Sequence, residues 1–147
     1  MRFICDIMFG KLAKYLRILG FDAVYEKNPA ALEHYRLHEP DRIFLTRRRK
    51  TTGFPNTVHI ESEITREQLK EIKGLIRSGI KKENVLNRCI ECNRELVDVD
   101  KTEIERSVPE FVYHNYTCFK ACPSCKKVYW EGSHTTGMEE LIKEILT

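Results

Sequence analysis

Four cysteines in two short pairs have the spacing of metal ligands. The pairs are the C-x-x-C segments Cys89–Cys92 and Cys122–Cys125. Each pair predicts a tight turn that directs both sulfurs at one ion, and thiolates favour Zn²⁺ in a tetrahedral shell. Because a closed shell of four sulfurs leaves no position for water, we expect a structural zinc ion. Two disulfides or free buried thiols are the alternative.

Two further cysteines stand outside these pairs. Cys118 precedes Cys122 by four residues, a spacing also compatible with ligation, so it competes with one member of the second pair. We assign Cys125 because Cys-Pro-Ser-Cys repeats the spacing of the first pair. Cys5 lies within an apolar strand, and there a small core residue is the better interpretation.

Asp6 is a candidate for chemistry of a different kind. It directly follows the apolar segment Phe3-Ile4-Cys5 and precedes a predicted helix that begins at Gly10. In open parallel sheets, ligands bind at the carboxyl ends of the strands, and a carboxylate at that position suits Mg²⁺ or Mn²⁺. The alternative is an aspartate that only caps the turn that follows it.

Two groups of cations are candidates for binding phosphate. The first lies at three-residue intervals on the predicted helix, and the second follows a predicted strand at its carboxyl end. They are Lys11, Lys14 and Arg17 in the first group and Arg47, Arg48 and Arg49 in the second. Phosphate contacts are the functional interpretation of both groups, and a solvated surface is the alternative.

Alternating strands and helices must position these side chains. The sequence predicts strands over 2–6, 22–25, 42–46 and 57–60, with helices over 10–19, 29–38 and 65–78. Gly20 is expected to end the first helix. This alternation predicts an α/β fold in three layers, with a mostly parallel sheet covered by helices on both faces.

A change of composition near residue 85 divides the chain in this prediction. Residues 1–86 carry a net charge of +6 and residues 87–147 a net charge of −3, so the first part is the better partner for a polyanion. We predict an α/β domain over 1–85 and a zinc ribbon with a closing helix over 86–147. The ribbon strands are expected at 95–99, 112–117 and 128–130. So small a module depends on its metal for folding energy.

The N-terminal residues and the hydropathy of the chain predict its cellular compartment, because they argue against a signal peptide and a membrane span. Asp6 lies where a signal peptide needs apolar residues, and no apolar stretch approaches the ~20 residues that span a bilayer. We therefore expect a cytoplasmic protein with reduced cysteines and no membrane partner.

Four segments carry longer signatures. They are residues 3–22, residues 42–47, the first cysteine pair with its flanks at 88–96, and residues 122–134, which end in Tyr129-Trp130 and Gly132-Ser133-His134. In this order they resemble the PIN-like C-terminal ribonuclease domain of the Mut-seven type over nearly the whole chain. The resemblance implies a PIN-like fold, a C-terminal zinc ribbon and a metal-dependent ribonuclease activity on RNA.

One departure from that family's pattern lies at Arg48, where the family usually has an acidic residue. Asp6 matches the first acid of the family, and Glu39 and Asp41 are candidates for further catalytic acids. Sites of this type bind divalent ions through several carboxylates. Three or more carboxylates around Asp6 would favour a Mg²⁺- or Mn²⁺-dependent ribonuclease. Asp6 alone beside Arg48 would favour a non-catalytic RNA-binding or adaptor module stabilised by zinc.

Overall fold

A computed structural model describes residues 1–50, 53–131 and 136–147 of the 147-residue chain. The first part contains β1 (Arg2–Cys5), α1 (Gly10–Ile18), β2 (Asp22–Tyr25), α2 (Pro29–His38), β3 (Ile43–Thr46), β4 (Thr57–His59), α3 (Thr65–Glu71) and α4 (Lys73–Arg77). The second contains β5 (Val97–Val99), α5 (Glu110–Asn115), β6 (Phe119–Ala121), β7 (Val128–Tyr129) and α6 (Thr136–Leu146). The segment Gly132-Ser133-His134 lies outside the described residues.

The first four strands form one parallel sheet in the order β2-β1-β3-β4. Cys5 at the end of β1 pairs with Tyr25 on one side and with Leu45 on the other. The carboxyl ends of the strands therefore meet at one edge of the sheet, and the side chains that follow β1 and β3 share that edge. The predicted α/β sheet is confirmed.

Both faces of the sheet are covered, because β1 alternates its buried side chains between two apolar clusters. Phe3 and Cys5 belong to a large cluster with α1, α3, α4 and α6. Ile4 joins Phe44 and Phe54 on the opposite face, where Leu32 and Tyr35 of α2 pack against them. This arrangement gives the three layers that the sequence predicts.

Gly20 terminates α1 in a Schellman motif. Its N–H donates to the Arg17 carbonyl, and the N–H of Phe21 donates to the Leu16 carbonyl, each at 3.0 Å. Gly20 has φ +94°, in the left-handed region that glycine adopts without strain. A Cβ at this position would lie 2.5 Å from the Asn84 carbonyl oxygen, so the backbone of the segment before the ribbon packs directly on this turn.

We expect Gly20→Ala to destabilise the protein by roughly 2–3 kcal/mol. The left-handed conformation alone costs an alanine about 1–2 kcal/mol, and the rigid contact with Asn84 adds to this cost. Gly74→Ala in α4 is the matched control: no atom lies within 4 Å of its added methyl, and we expect a gain of about 0.5–1 kcal/mol. Urea unfolding of both variants measures the difference. Similar midpoints for the two would contradict the close packing at Gly20.

The second sheet is antiparallel, with the order β5-β6-β7. The predicted strand at 112–117 is wrong, because Glu110–Asn115 is the short helix α5. Pro109 precedes its first turn, and the Asn115 side chain donates back to the Phe111 carbonyl, so local bonding favours the helix. Val112 is its one buried residue, packed on the ribbon cluster with Phe119. The middle strand of the sheet begins only at Phe119.

The closing helix α6 packs against the first part of the chain. Its apolar residues Leu141, Ile142 and Ile145 join the large cluster beneath α3 and α4. Glu144 pairs with Arg66 at 2.7 Å, and its carbonyl accepts from Lys73 Nζ at 3.0 Å. The predicted domain boundary at residue 85 places α6 with the ribbon. The apolar stripe of α6 nevertheless packs in the core of the α/β part. The boundary itself stays a prediction.

The described helices are too short or too polar to span a lipid bilayer.

Candidate functional site

The four paired cysteines converge on one point. The Sγ atoms of Cys89, Cys92, Cys122 and Cys125 all lie within 4.8 Å of one another. The Cys89 and Cys125 sulfurs are 3.7 Å apart, close to the roughly 3.8 Å that tetrahedral Zn–S bonds of ~2.3 Å require. Cys118 is exposed, and its thiol contacts the Thr117 hydroxyl instead. The site can therefore hold a structural zinc ion with the predicted ligands.

The two cysteine turns repeat the same local geometry. In each, the residue after the second cysteine has positive φ, 61° at Asn93 and 68° at Lys126. Each of these residues donates its N–H, at 3.0 Å, to the carbonyl of the first cysteine of its turn. The N–H groups of Cys92 and Cys125 point at the sulfurs of Cys89 and Cys122. Backbone donors that point at sulfur favour the thiolate, which is the form that binds metal.

Neighbouring groups shift the pKa values of two cysteine thiols in opposite directions. Burial opposes ionisation of Cys122, but hydrogen bonds from the backbone of Cys125 and Ser124 outweigh it and lower the Cys122 pKa to about 7. A hydrogen bond with Cys125, together with burial, raises the Cys92 pKa to about 12. A bound divalent cation would stabilise all four thiolates together, and so would favour the deprotonated form of both cysteines.

Tyr129 supports the first cysteine turn, a role that its place in the sequence signature does not predict. Its hydroxyl lies 3.2 Å from the Cys89 sulfur and accepts from the N–H of Ile90 at 3.2 Å. Burial, and then the hydrogen bond to Cys89, raise the Tyr129 pKa, so the hydroxyl keeps its proton. Such outer-shell donors orient the ligands of a metal.

Arg17 anchors the zinc ribbon on the α/β layer. Only 8% exposed, it donates from Nε to the Ala23 carbonyl at 2.9 Å and from Nη1 to the Ile90 carbonyl at 2.7 Å. Arg17 is buried whereas Lys11 and Lys14 are exposed, and the helix geometry gives the reason. At 3.6 residues per turn, each three-residue step rotates by about 60° backwards, so Arg17 lies about 120° from Lys11.

Asn93 makes a second connection between the ribbon and the sheet. Its side-chain oxygen accepts from the N–H of Ala23 at 3.0 Å, and its Nδ2 donates to Asp22 at 2.7 Å. Asp22 in turn pairs with the buried Arg42 at 2.9 Å. Burial opposes ionisation of Asp22, but the hydrogen bonds from Arg42 and Asn93 prevail and lower its pKa.

Asp6 is fully buried at the carboxyl edge of the sheet, and its oxygens are already in use. Oδ1 accepts from the N–H of Ile7 at 2.8 Å, which caps the short 3₁₀ turn that follows. Oδ2 accepts from the Thr46 hydroxyl at 2.7 Å and lies 3.2 Å from Nε of Arg48. The Asp6 carboxylate therefore caps the turn after β1, and it also contacts the polar side chains of Thr46 and Arg48 at the end of β3.

The basic run after β3 is paired with carboxylates. Arg47 lies 3.2 Å from Glu63, and Arg49 lies 3.2 Å from Glu61. Arg48 stands between them with its guanidinium on Asp6, and 56% of its side chain remains exposed. The charge available for a polyanion at this edge is therefore smaller than a run of cations suggests. Of the three arginines, Arg48 is the one that contacts Asp6 in the candidate site.

The structure does not bring Glu39 or Asp41 together with Asp6. Both precede β3, so they lie at the amino ends of the parallel strands, where Arg2 of β1 pairs with each of them. Arg42 pairs with Glu39 as well, at 3.1 Å. These carboxylates close the opposite edge of the sheet. Asp6 follows β1 and lies at the other end of the same strand.

A catalytic Mg²⁺ or Mn²⁺ does not fit these residues. In the described part of the chain, the four cysteines are the only close group of three or more side chains that could share an ion. Other acids near the edge are engaged: Glu26 accepts from the N–H groups of Lys27 and Asn28, and Glu61 lies against Arg49 and His59. One carboxylate that already faces a guanidinium is a poor divalent-cation site.

Comparison with known proteins identifies the family. The family model of the Mut7-C RNAse domain matches residues 1–142. The chain belongs to this family. No curated protein matches the chain, and no solved structure does. Membership identifies a ribonuclease-type domain, and it agrees with the resemblance in the sequence, with the parallel sheet and with the cysteine cluster.

Proposed function

We propose that this protein binds RNA on a ribonuclease-type domain in which Arg48 takes the place of a catalytic metal ion. The observation that carries the proposal is the Arg48 guanidinium 3.2 Å from the buried carboxylate of Asp6. The guanidinium supplies the positive charge that a divalent ion would otherwise bring to this edge. Because the Arg48 side chain is more than half exposed, its outer nitrogens can bind a phosphate oxygen.

Arg48 and a metal ion would do different chemistry at this site. A metal ion lowers the pKa of a bound water and makes it a nucleophile at neutral pH. A guanidinium only donates hydrogen bonds and positive charge, and it generates no hydroxide. The expected outcome at this site is therefore phosphate binding without hydrolysis.

A metal-dependent ribonuclease is the second candidate function, and the position of Asp6 favours it. The carboxylate follows β1 at the edge where open α/β sheets bind their ligands, and the family is a ribonuclease-type family. This function requires that Arg48 leaves Asp6 and that further carboxylates approach it. Wild-type protein must then cleave RNA with Mn²⁺, and Asp6→Asn must abolish that cleavage.

We expect wild-type protein to bind a mixed RNA pool and to leave it intact in Mg²⁺ or Mn²⁺. The affinity should fall with salt, with a log–log slope of roughly −0.7 for each phosphate contact to a single strand. Arg48→Gln should weaken binding about 5–10-fold and flatten the slope by about 0.7. Fluorescence anisotropy at several salt concentrations, with gel analysis of the same samples, gives both results.

Arg36→Gln is the matched control for that experiment. Arg36 lies on α2 and pairs with its own helix neighbour Glu33, so its loss should leave affinity and slope unchanged. Equal slopes for wild type and Arg48→Gln would contradict the role of Arg48. Mn²⁺-dependent cleavage that Asp6→Asn removes would establish the ribonuclease instead.

A further inference from the structure

An open cleft of about 850 Å³ lies between α1 and the first cysteine turn. It is lined by Gly10, Lys11, Lys14, Tyr15, Arg17, Tyr25 and Glu91. One wall belongs to the α/β layer and the other to the ribbon. The cleft reaches the edge that holds Asp6, because the Tyr25 hydroxyl donates to the carbonyl of Ile7, the residue after Asp6, at 2.7 Å.

Tyr25 presents a fixed aromatic surface in this cleft. It is the last residue of β2, and its hydroxyl is held by the Ile7 carbonyl. Its ring packs on Gly10, where an added Cβ would lie 3.2 Å from the nearest ring carbon. The side chain is held at both ends while the residue remains 37% exposed. A ring fixed in this way loses little rotamer freedom when a flat ligand stacks on it.

Two lysines supply positive charge beside the ring. Lys11 and Lys14 are exposed and lie one turn apart on α1, on the side that lines the cleft. Lys14 lies 3.3 Å from Glu91, but about half of each side chain is exposed, so water screens this pair. Among the described residues, no carboxylate pairs with Lys11. A phosphate can therefore replace Glu91 as the partner of Lys14 and can pair with Lys11 at the same time.

We propose that this cleft binds one nucleotide of single-stranded RNA, with its base stacked on Tyr25 and its phosphate between Lys11 and Lys14. The inference rests on the proposed RNA binding and names its strand class. Base stacking on an aromatic ring contributes roughly ten- to a hundredfold in affinity. In a duplex both faces of a base are already stacked, so a paired strand cannot offer one to Tyr25. Single strands are therefore preferred.

The test compares a labelled ten-nucleotide single-stranded RNA with the same strand in a duplex. Wild-type protein should bind the single strand at least tenfold more tightly, and Tyr25→Leu should remove most of that preference. Tyr25→Phe keeps the ring and should lose less than threefold. Phe111→Leu is the matched control, because Phe111 is an aromatic residue, 72% exposed, on α5 and outside the cleft; it should bind as wild type does.

Two measurements keep the test decisive if Tyr25→Leu folds poorly. The double variant Lys11→Glu, Lys14→Glu changes exposed side chains only, and it should weaken binding of the single strand at least tenfold. On wild-type protein, a 4-thiouridine strand should crosslink to the peptide that contains Tyr25.

The possible results separate the cleft from the proposed function. If wild type binds RNA but Tyr25→Leu and the lysine variant bind equally well, or the crosslink falls on the peptide that contains Phe111, the cleft proposal is overturned and RNA binding stands. If free uridine monophosphate binds as tightly as the strand, the cleft is a mononucleotide site and the RNA assignment is overturned. If wild type binds no RNA, both proposals are overturned.

Discussion

Replacing Cys89 with serine should release the metal and unfold the ribbon while the α/β layer stays folded. The described part of the ribbon buries few apolar side chains. They are Ile104, Val112, Phe119, Ala121 and Val128 in one cluster, and Leu96 beside Cys89 and Cys122 in another. Such a core is too small to hold a module of this size alone. Structural zinc contributes about 10–16 kcal/mol of binding free energy in zinc-finger peptides, and a serine hydroxyl is a poor replacement for a buried thiolate.

Metal analysis and circular dichroism measure this outcome. We expect less than about a tenth of the wild-type zinc in the Cys89→Ser protein, and an early, separate unfolding transition in urea. Cys118→Ser is the matched control, because Cys118 is exposed and its thiol lies 3.8 Å from the Thr117 hydroxyl. It should keep its zinc. Loss of zinc from Cys118→Ser, with retention in Cys125→Ser, would instead support the ligand set that includes Cys118.

The zinc ligands could be predicted from sequence because C-x-x-C is a local motif. Each turn is built from six consecutive residues, and the local chain fixes where both sulfurs point. The same holds for α2, whose bounds the sequence predicts correctly. Pro29 begins that helix, and Asn28 accepts the N–H of Ala30 as its N-cap. Where start signals and spacing lie within one element, the sequence is sufficient.

Predictions that depended on packing between distant elements were less reliable. The apolar stripe of α6 predicts that it packs on something, but not that it packs on α3 and α4, about seventy residues earlier in the chain. The predicted helix over 65–78 breaks at Ile72, where φ is −103° and ψ is 9°. Ile72 itself is buried in the large cluster. Gly74, two residues beyond the break, is a helix-weakening signal in the sequence, but it does not place the break at Ile72.

In the candidate site, too, the sequence predicts some contacts and not those that depend on distant packing. The sequence predicts that Asp6 and the end of β3 share an edge, because parallel strands bring their carboxyl ends together. Thr46 and Arg48 do lie against Asp6 there. Glu39 and Asp41 are candidates because the family resemblance implies further acids, although their position before β3 already indicates the opposite edge. The pairing of Arg47 and Arg49 with acids after β4 needs the fold of the loop and was not predictable.

Arg17→Met should destabilise the protein by about 3 kcal/mol and uncouple the ribbon from the sheet. Methionine keeps most of the packing volume but removes every donor. The buried Ala23 carbonyl then loses its hydrogen bond from Nε, and the Ile90 carbonyl loses its partner at 2.7 Å. Each buried acceptor left unpaired costs about 1–3 kcal/mol. Because Ile90 lies inside the first cysteine turn, the loss acts on the ribbon as well as on α1.

Urea unfolding followed by two probes separates these effects. We expect Arg17→Met to unfold at a lower midpoint, with the single tryptophan, Trp130, reporting its transition before the far-ultraviolet signal of the α/β layer does. Trp130 packs against the ribbon cluster and so reports on that module. Zinc content should stay near the wild-type value, because all four ligands remain.

Lys14→Met tests whether burial is what makes Arg17 important. Lys14 lies on the same helix and also faces the first cysteine turn, through its pair with Glu91, but about half of that pair is exposed to water. Exposed pairs contribute at most about 1 kcal/mol, so Lys14→Met should shift the midpoint little and keep both probes coincident. If the two methionine variants unfold alike, the connection between the modules rests on surface charge rather than on the buried Arg17 hydrogen bonds. Early loss of the Trp130 signal in Arg17→Met alone establishes Arg17 as the residue that connects the ribbon to the sheet beside the cleft.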